Sequence, residues 1–147
     1  MMNMLLSRWT RSTASRLTVA LVFAFAVVFG ASEASAQQAP TGNKGLKASK
    51  TQMLDLGPEI EGMANRQLRF RMLTIDPGGY IGIHDHKDRP AAVYFLQGED
   101  TVTSGDGTVK VFHPGDVTME GKETTHWHRN NGNEPAVFVT VDILHKK

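Results

Sequence analysis

Two pairs of histidines, each pair separated by a single residue, occur among the six histidines of this 147-residue chain. The first pair is His84 and His86, and the second is His126 and His128. Residues two apart on a β-strand point to the same face, so each pair would present two imidazoles side by side. Two such strands that face one another across a barrel would bring three or four ring nitrogens to one point. The spacing therefore predicts a site for a single divalent metal ion.

The rest of the composition restricts the chemistry of this site. The sequence contains no cysteine, which excludes thiolate ligands, a cysteine nucleophile and a redox disulfide, and leaves histidine and carboxylate as the ligand types. Such ligands suit a divalent transition metal, and the residues do not select among iron, zinc, manganese, nickel and copper. No serine occurs in a nucleophile-elbow sequence, which argues against a serine hydrolase.

The elements that must position the histidines are predicted to be β-strands almost throughout. Leu68, Phe70 and Met72 alternate with polar residues, as in a half-buried strand, and Pro77-Gly78-Gly79 is expected to break this run. The sequence Ser104-Gly105-Asp106-Gly107 is typical of a tight hairpin, because glycine can adopt the positive φ that such turns need. Short and frequent strands predict an all-β sandwich or barrel. Further strands are expected at residues 80–86, 92–96, 101–103, 108–112, 117–119, 125–129 and 137–143.

The two histidine pairs lie in sequences that resemble the two motifs of the cupin superfamily. The matching residues are Gly78, His84, His86 and Gly98 in the first motif, and Gly115, His126 and Asn130 in the second. The resemblance spans residues 68–143. It implies a single jelly-roll β-barrel with a metal ion in its mouth, and it implies that His84, His86 and His126 are the metal ligands.

The sequence departs from the cupin pattern at several positions. The glutamate of the first motif falls on Ala91, or on Pro90 with the shorter spacing, and neither side chain can bind a metal. Gly121 and Glu123 replace the proline and glycine of the second motif. One resolution is a centre of three histidines without a carboxylate, which resembles the iron centres of the cysteine dioxygenase branch of cupins. Alternatively, His128 is a fourth ligand, or it lies outside the ligand shell as a hydrogen-bond donor or proton shuttle, and is then the candidate catalytic residue.

Other polar residues near the motifs carry weaker signals. Asp85 lies between two inward-facing histidines, so it is expected to point to solvent. Asp88 and Arg89 follow in the loop at the barrel mouth, where they could meet a charged substrate or form a salt bridge within the turn. His113 precedes a turn and His145 lies in the C-terminal tail, and both are expected on the surface.

Residues 1–36 have the three parts of a secretory signal peptide. Arginines form a positive region, an apolar stretch covers residues 17–31, and Ala34-Ser35-Ala36 is a small-residue cleavage site. The apolar stretch is shorter than the roughly 20 residues that span a bilayer. Cleavage after Ala36 is therefore expected, and the protein is expected in the periplasm or outside the cell. The alternative is an uncleaved N-terminal anchor that tethers the same exported domain.

The mature chain is predicted to consist of a flexible arm over residues 37–49, rich in Gly, Lys, Ala and Pro, and a cupin domain over residues 50–147. Removing the leader takes away three arginines and one glutamate, so Lys plus Arg falls from 16 to 13, Asp plus Glu from 15 to 14, and the net charge from +1 to −1. No basic surplus remains for nucleic acid or an anionic membrane. A small-molecule ligand is the expected partner, and the resemblance also implies a homodimer.

Two functions fit these residues. The first is an exported mononuclear metal enzyme, an oxygenase that binds substrate and dioxygen at positions left open by three histidine ligands. The second is a metal-bearing or small-ligand-binding cupin without turnover, which the missing glutamate would permit. In the cupin register Ala91, Val93 and Phe95 line an apolar cavity, which favours a small, partly hydrophobic ligand. Nothing in the sequence identifies the substrate.

Overall fold

The computed structural model of this chain describes residues 38–147, so the predicted signal peptide lies outside the described residues. Within residues 38–147 the secondary structure consists of β-strands, and no helix there is long and apolar enough to cross a membrane. The all-β prediction is confirmed. The strands are β1 (Lys44–Asp55), β2 (Arg66–Asp85), β3 (Ala91–Gln97), β4 (Asp100–Ser104), β5 (Val109–Phe112), β6 (Val117–Glu120), β7 (Thr125–Arg129) and β8 (Ala136–His145).

The strands form one antiparallel sheet that curls around a core. Its order is β5-β4-β7-β2-β8-β3-β6, and β1 pairs with β2 outside this path. Strands far apart in this order share the core, since Phe95 on β3 stacks on Phe112 on β5 with ring centroids 4.5 Å apart. The hairpin predicted at residues 104–107 joins β4 to β5, as expected. The buried core consists of Leu73, Ile75, Val93, Phe95, Val102, Phe112, Ala136 and Phe138.

The 20-residue strand β2 connects the two halves of the sheet. Its first half, Arg66–Ile75, pairs with β8, and its second half, from Tyr80 to Asp85, pairs with β7. Pro77-Gly78-Gly79, where the sequence predicts a break, is a bend within the strand, with Gly78 at a φ of 71°. Glycine adopts this left-handed conformation without steric cost. One strand therefore carries core residues at one end and His84 at the other, and His86 directly follows its last residue.

The folded domain begins earlier than the sequence predicts, with strand β1. Residues 44–49, whose composition suggests a flexible arm, form the first half of β1 and pair with β2. The prediction of an arm over residues 37–49 is therefore wrong from Lys44 onward, and the domain begins before residue 50. The physical reason is that β1 is held through its backbone while most of its side chains are exposed, so the strand has no apolar period to detect.

The interior face of the sheet is more polar than its outer face around β2 and β8. The predicted alternation on β2 is present, but Phe70 lies on the outer face with 39% exposure, while Arg69 and Arg71 point toward β8 side chains of the interior. Three interior pairs follow one another across β2 and β8: Arg69 with Asp142, Arg71 with Thr140, and Leu73 with Phe138. The interior side chains thus change from apolar at Leu73 and Phe138 to charged at Arg69 and Asp142, two residue pairs away along the strands.

Asp142 is the centre of a buried ion cluster that joins β2, β8 and the β2–β3 loop. Arg69 donates to both carboxylate oxygens of the fully buried Asp142, at 2.9 and 2.6 Å. Arg89 donates at 3.1 Å, and Arg71 lies at 3.4 Å. Burial acts to raise the pKa of Asp142, but hydrogen bonds from Arg69 and Arg89 outweigh it and hold this pKa below its ordinary value. Because Arg89 lies in the loop that follows His86, the cluster fixes the chain beside the first histidine pair.

Replacing Asp142 by asparagine should destabilise the fold strongly. The change leaves three guanidinium groups without their shared counter-ion, and breaking a buried ion pair on one side costs about 3–5 kcal/mol. Asp76→Asn is the matched control, since Asp76 pairs with Lys47 at 2.7 Å on the surface, where such a pair contributes about 0–1 kcal/mol. Urea unfolding of metal-free protein measures both free energies. Equal losses in the two variants would contradict the structural role of Asp142.

Candidate metal centre

His84 on β2 and the second histidine pair on β7 lie on neighbouring strands of the sheet, and His86 directly follows β2. His84 on β2 is directly opposite His126 on the antiparallel strand β7. The Nε2 atoms of these two residues are 3.2 Å apart, and the Nε2 of His126 is also 3.2 Å from that of His86. The imidazoles therefore meet through the pairing of adjacent strands, and not from opposite walls of a barrel as expected from the sequence.

A β-bulge in β2 aims the first histidine pair at the second. Ile81 and His84 are three residues apart, whereas their partners on β7, His128 and His126, are two apart. An extra residue of this kind bends the strand and redirects its side chains. The bulge contains Gly82, where a Cβ would lie only 2.6 Å from a backbone oxygen of the N-terminal segment. Only glycine allows the two backbones to approach this closely.

Backbone carbonyls fix the tautomers of the first pair. The Nδ1 atom of His84 lies 2.9 Å from the carbonyl oxygen of Gly82, and that of His86 lies 3.0 Å from the carbonyl oxygen of Arg89. Because a carbonyl oxygen can only accept, each Nδ1 must carry the proton and donate it. The lone pair is then on Nε2, the atom that faces the other histidines. This is the arrangement in which histidine binds a metal.

Burial keeps the clustered imidazoles neutral. Desolvation is the main cause that lowers the pKa of His86 to about 4, with a contribution from the positive charge of Arg89. Desolvation, together with the neighbouring histidines, lowers the pKa of His126 to about 2, and it also lowers the pKa of His84. Neutral imidazole is the metal-binding form. At neutral pH these side chains need lose no proton to bind a cation.

Glu120 supplies the carboxylate that the sequence motif lacks. Its Oε2 lies 3.2 Å from the Nε2 of His86, and its Oε1 lies 3.7 Å from the Nε2 of His126. Glu120 is the last residue of β6 and lies directly opposite Ala91 on β3, the position at which the cupin pattern places its glutamate. The carboxylate therefore comes from the neighbouring strand at the same level of the sheet. A centre of three histidines without a carboxylate stays an alternative, since His84, His126 and His128 also form a group that could hold an ion.

The environment of Glu120 fits a bound cation. The side chain is 6% exposed, and its Oε1 has no hydrogen-bond partner among the residues that the structure describes. Burial raises the pKa of Glu120 to about 6, because a desolvated carboxylate resists ionisation. Buried charges in proteins are usually paired or bound to metals. A divalent cation beside Glu120 would provide the missing partner.

The sequence around Glu120 gave little sign of this role. In the stretch 117–120, Thr118 and Glu120 share one strand face, and Val117 and Met119 share the other. Apolar residues usually mark the buried face of a strand, but here Val117 and Met119 are 60% and 75% exposed. The register of β6 against β3 is the information that identifies Glu120 as an interior residue, and local sequence does not contain it.

His128, the candidate catalytic residue, is held by a second buried carboxylate. Its Nδ1 lies 2.6 Å from Oδ2 of Asp100, whose side chain is fully buried. The ring of His128 is stacked between those of His84 and Phe138, each with a centroid 5.8 Å away. Carboxylates orient metal-binding histidines in this way, and they also orient histidines that transfer protons. Asp100 was not among the residues that the motifs indicated.

The potential ligands form two overlapping groups, in each of which the ligand atoms lie within 4.8 Å of one another. One group contains His84, His126 and His128, and the other contains His86, Glu120 and His126. The predicted ligands His84, His86 and His126 are thus divided between the groups, with His126 common to both. Two nitrogens that each lie about 2.1 Å from one ion are about 3.0–3.4 Å apart. The 3.2 Å contacts of His126 with His84 and with His86 match this spacing, so each of the two groups fits an ion that includes His126 as a ligand.

A cavity of about 250 Å³ opens beside the histidines. The prediction that Ala91 and Val93 line it is confirmed, whereas Phe95 is buried in the core against Phe112. The cavity is less apolar than predicted, because Arg71 and Thr140 also line it. Its wall includes His84, His86, His128 and Glu120 at the metal-binding end, and Leu73, Ile81, Val93 and Phe138 toward the core.

The remaining candidates lie largely where the sequence suggested. Asp85, His113 and His145 are exposed. Asp88 is also exposed, and its carbonyl accepts a hydrogen bond from Arg66. Arg89 has both of its predicted settings, since it lines the cavity and forms a salt bridge, although its partner is Asp142 on β8 and not a residue of its own turn.

Comparisons with known proteins agree with this architecture. A family model described as "Cupin domain" matches residues 71–142. The oxalate-binding protein of Thermotoga maritima is 30% identical over 84 residues, which make up 57% of this chain and 69% of that protein. The chain belongs to the cupin superfamily, and its fold is the jelly-roll β-barrel of that class.

Two solved structures share the fold at low sequence identity. The cupin domain of an XRE family transcriptional regulator from Enterobacter cloacae is 13% identical, with a TM-score of 0.52 over 71% of this chain and 100% of that chain. The polyketide cyclase RemF from Streptomyces resistomycificus is 18% identical, with a TM-score of 0.54 over 74% of this chain and 75% of that chain. These likenesses concern the fold alone.

Glu120→Gln should weaken metal binding by more than the roughly 10–100-fold that loss of an outer partner costs. The reason is that the amide keeps the shape of the side chain but removes the negative charge beside His86 and His126. Glu123→Gln is the matched control, because the side chain of Glu123 is 87% exposed. Competition between each variant and a chromophoric zinc chelator measures the affinity. Unchanged affinity in Glu120→Gln, with a large loss in His128→Gln, would place His128 and not Glu120 among the ligands.

Proposed function

We propose that this protein is an exported cupin that holds one divalent transition metal ion and binds a small organic acid on it. The ligands in this proposal are His84, His86, His126 and Glu120. The observation that carries it is the contact of His126 with both His84 and His86, next to the buried carboxylate of Glu120 and a cavity of about 250 Å³. Export rests on the leader pattern of residues 1–36, and the mature chain would act in the periplasm or outside the cell.

A small organic acid suits this cavity in size and chemistry. The volume of about 250 Å³ lies below the roughly 300–1,000 Å³ of sites for drug-sized ligands. Four protein ligands leave positions open on a six-coordinate ion, and a bound divalent ion is a Lewis acid that carboxylate oxygens coordinate. The Thermotoga maritima relative is named for the binding of oxalate, a two-carbon dicarboxylate. That name supports the ligand class.

An oxygenase is the second candidate, and the pair of His128 and Asp100 is the observation that favours it. Their 2.6 Å contact holds the imidazole of His128 in the cavity wall beside the ligand position. A histidine placed in this way can hold or move a proton during a reaction. Oxygen uptake by the iron-loaded protein with small thiols or phenols would favour the enzyme. No uptake, together with intact oxalate binding, would favour a binding protein.

Metal content and oxalate binding should be lost together in the double variant His84→Ala, His126→Ala. Elemental analysis should find about one metal ion per wild-type chain and none in the variant, since two of its ligands are gone. Calorimetry should then detect oxalate binding to the metal-loaded wild type and none to the variant. The double variant His113→Ala, His145→Ala is the control, because both of these histidines are exposed.

Two results would count against the proposal. If the wild type holds no more metal than the His84, His126 variant, the metal centre is wrong. If the wild type holds metal but oxalate binds equally well with and without it, the metal centre remains but the organic acid does not bind on the ion. Repeating the titration with zinc, iron, manganese, nickel and copper identifies the metal that supports binding.

The outer face of the sheet bears on the oligomeric state, because it is apolar across four strands. Two rows of side chains lie in register on β2, β8, β3 and β6: Phe70, Val141, Ala92 and Met119 in one, and Met72, Val139, Tyr94 and Val117 in the other. No charged side chain lies within these two rows. A groove lined by Leu68, Ala92, Val141 and Ile143 opens beside Met119 on this face.

We propose that a second copy of this chain covers the outer face. Met119 is 75% exposed and lies next to the groove. The same patch therefore contains a protruding side chain and a groove in which the Met119 of a second copy can be buried. A two-fold interface requires such a patch, because each copy presents the same surface to the other. Because the two rows carry no charged side chain, like charges do not meet near the two-fold axis.

Met119→Lys should dissociate the dimer, because it places two like charges in the symmetric interface. Val109→Lys is the control, since Val109 is 58% exposed on β5, away from the four-strand face. Sedimentation velocity should give dimers for the wild type and the control, and monomers for Met119→Lys at the same concentration. A wild type that is monomeric throughout the concentration series would contradict the proposal and indicate another occupant of this face.

A further inference from the structure

Two polar groups in the cavity wall have no partner among residues 38–147. The Nε of Arg71 and the Oγ1 of Thr140 are buried and make no hydrogen bond within this part of the chain. Arg71 on β2 and Thr140 on β8 lie directly opposite each other, and both line the cavity beside the metal-binding residues. Thr140 as a whole is only 6% exposed. Buried donors without a partner are unfavourable, so this wall is suited to a ligand that accepts hydrogen bonds.

Asp142 contacts Arg71 only through Nη2, and the Nε of Arg71 is left without a partner among the described residues. Arg69 already donates to both oxygens of Asp142, at 2.9 and 2.6 Å, and Arg89 donates at 3.1 Å. Arg71 reaches one of these oxygens at 3.4 Å, the longest of the contacts. Three guanidinium groups therefore share one carboxylate, which leaves a positive surplus at this end of the cavity. A second anionic group would balance that surplus.

The cavity connects this positive wall to the metal-binding residues. Its lining includes His84, His86 and Glu120 as well as Arg71 and Thr140, within a volume of about 250 Å³. A ligand of only a few carbon atoms can therefore face both groups. Arginine is well suited to the far end, because its planar guanidinium binds carboxylates with more than one N–H group.

We propose that Arg71 and Thr140 form a subsite for a second carboxylate, so that the ligands of this protein are small dicarboxylates. One carboxylate lies at the metal end, an assignment that rests on the function proposed above. The other accepts hydrogen bonds from the Nε–H of Arg71 and from the hydroxyl of Thr140. Arg71 is then the residue that selects a dicarboxylate over a monocarboxylate, while the metal ligands contact both kinds of acid.

Malonate and acetate test this subsite, because malonate is acetate with one further carboxylate. Calorimetric titration of the zinc-loaded wild type should give an affinity for malonate at least about tenfold above that for acetate, as expected for charge-assisted hydrogen bonds. Arg71→Gln should remove most of this difference, and Thr140→Val should reduce it, while acetate affinity and zinc content stay unchanged. Lys47→Gln is the control, since Lys47 is exposed and pairs with Asp76.

A wild-type preference for malonate that persists in both Arg71→Gln and Thr140→Val would overturn the subsite, as would equal affinities for malonate and acetate in the wild type. If Arg71→Gln fails to fold by circular dichroism, the nearly isosteric Thr140→Val decides.

A wild type that binds no zinc defeats the proposed function but not the subsite. In that case the NMR signal of the Thr140 methyl group is followed in the metal-free protein. A shift on addition of malonate, absent in Arg71→Gln, supports the subsite, and an unmoved signal refutes it.

Discussion

Arg69 donates two hydrogen bonds to the carboxylate of the buried Asp142, and the rest of the site depends on this bidentate contact. A charged pair inside a small barrel is tolerable only when its hydrogen bonds are complete, and Arg89 completes those of Asp142. Arg89 also acts through its backbone, because its carbonyl oxygen accepts a hydrogen bond from the Nδ1–H of His86. One residue therefore links the ion cluster to the tautomer of a candidate metal ligand, and the β2–β3 loop is held at both points.

This ion cluster makes one end of the interior polar, although the core on β2, β3 and β8 is apolar, and the outer face of β2, β8, β3 and β6 is apolar as well. If the interior held only side chains such as Leu73 and Phe138, it would pack as an apolar core, and no polar group would line the cavity at the barrel mouth. Arg71 lies two residues from Leu73 along β2, and Asp142 lies four residues from Phe138 along β8. Their side chains give the cavity a charged wall, and only some of its polar atoms are hydrogen-bonded within the described residues. Apolar side chains lie on the outer face, where Met119 is 75% exposed. An exposed apolar patch of this kind marks an interaction surface.

Much of the fold could be predicted because strand alternation and turn residues act over a few positions. The hairpin at Ser104-Gly105-Asp106-Gly107 and the strands carrying both histidine pairs follow from such local rules. The start of the domain could not be predicted, because β1 is held by backbone pairing and shows no apolar period. The sequence predicts a break at Gly78 where the strand bends and continues, since a glycine with positive φ is compatible with both.

The spacing of two in each histidine pair could be read from the sequence, and it predicts neighbouring imidazoles wherever the strand lies. His126 and His128 lie on β7 as predicted, whereas His86 follows the last residue of β2. Which acidic and basic groups join the histidines depends on the tertiary structure. Glu120 reaches the centre because β6 pairs with β3 in the register that sets it opposite Ala91. Asp100 meets His128 because β4 pairs with β7. Register between strands distant in sequence depends on the packing of the whole sheet, and a shift of one residue would turn each of these side chains to the opposite face.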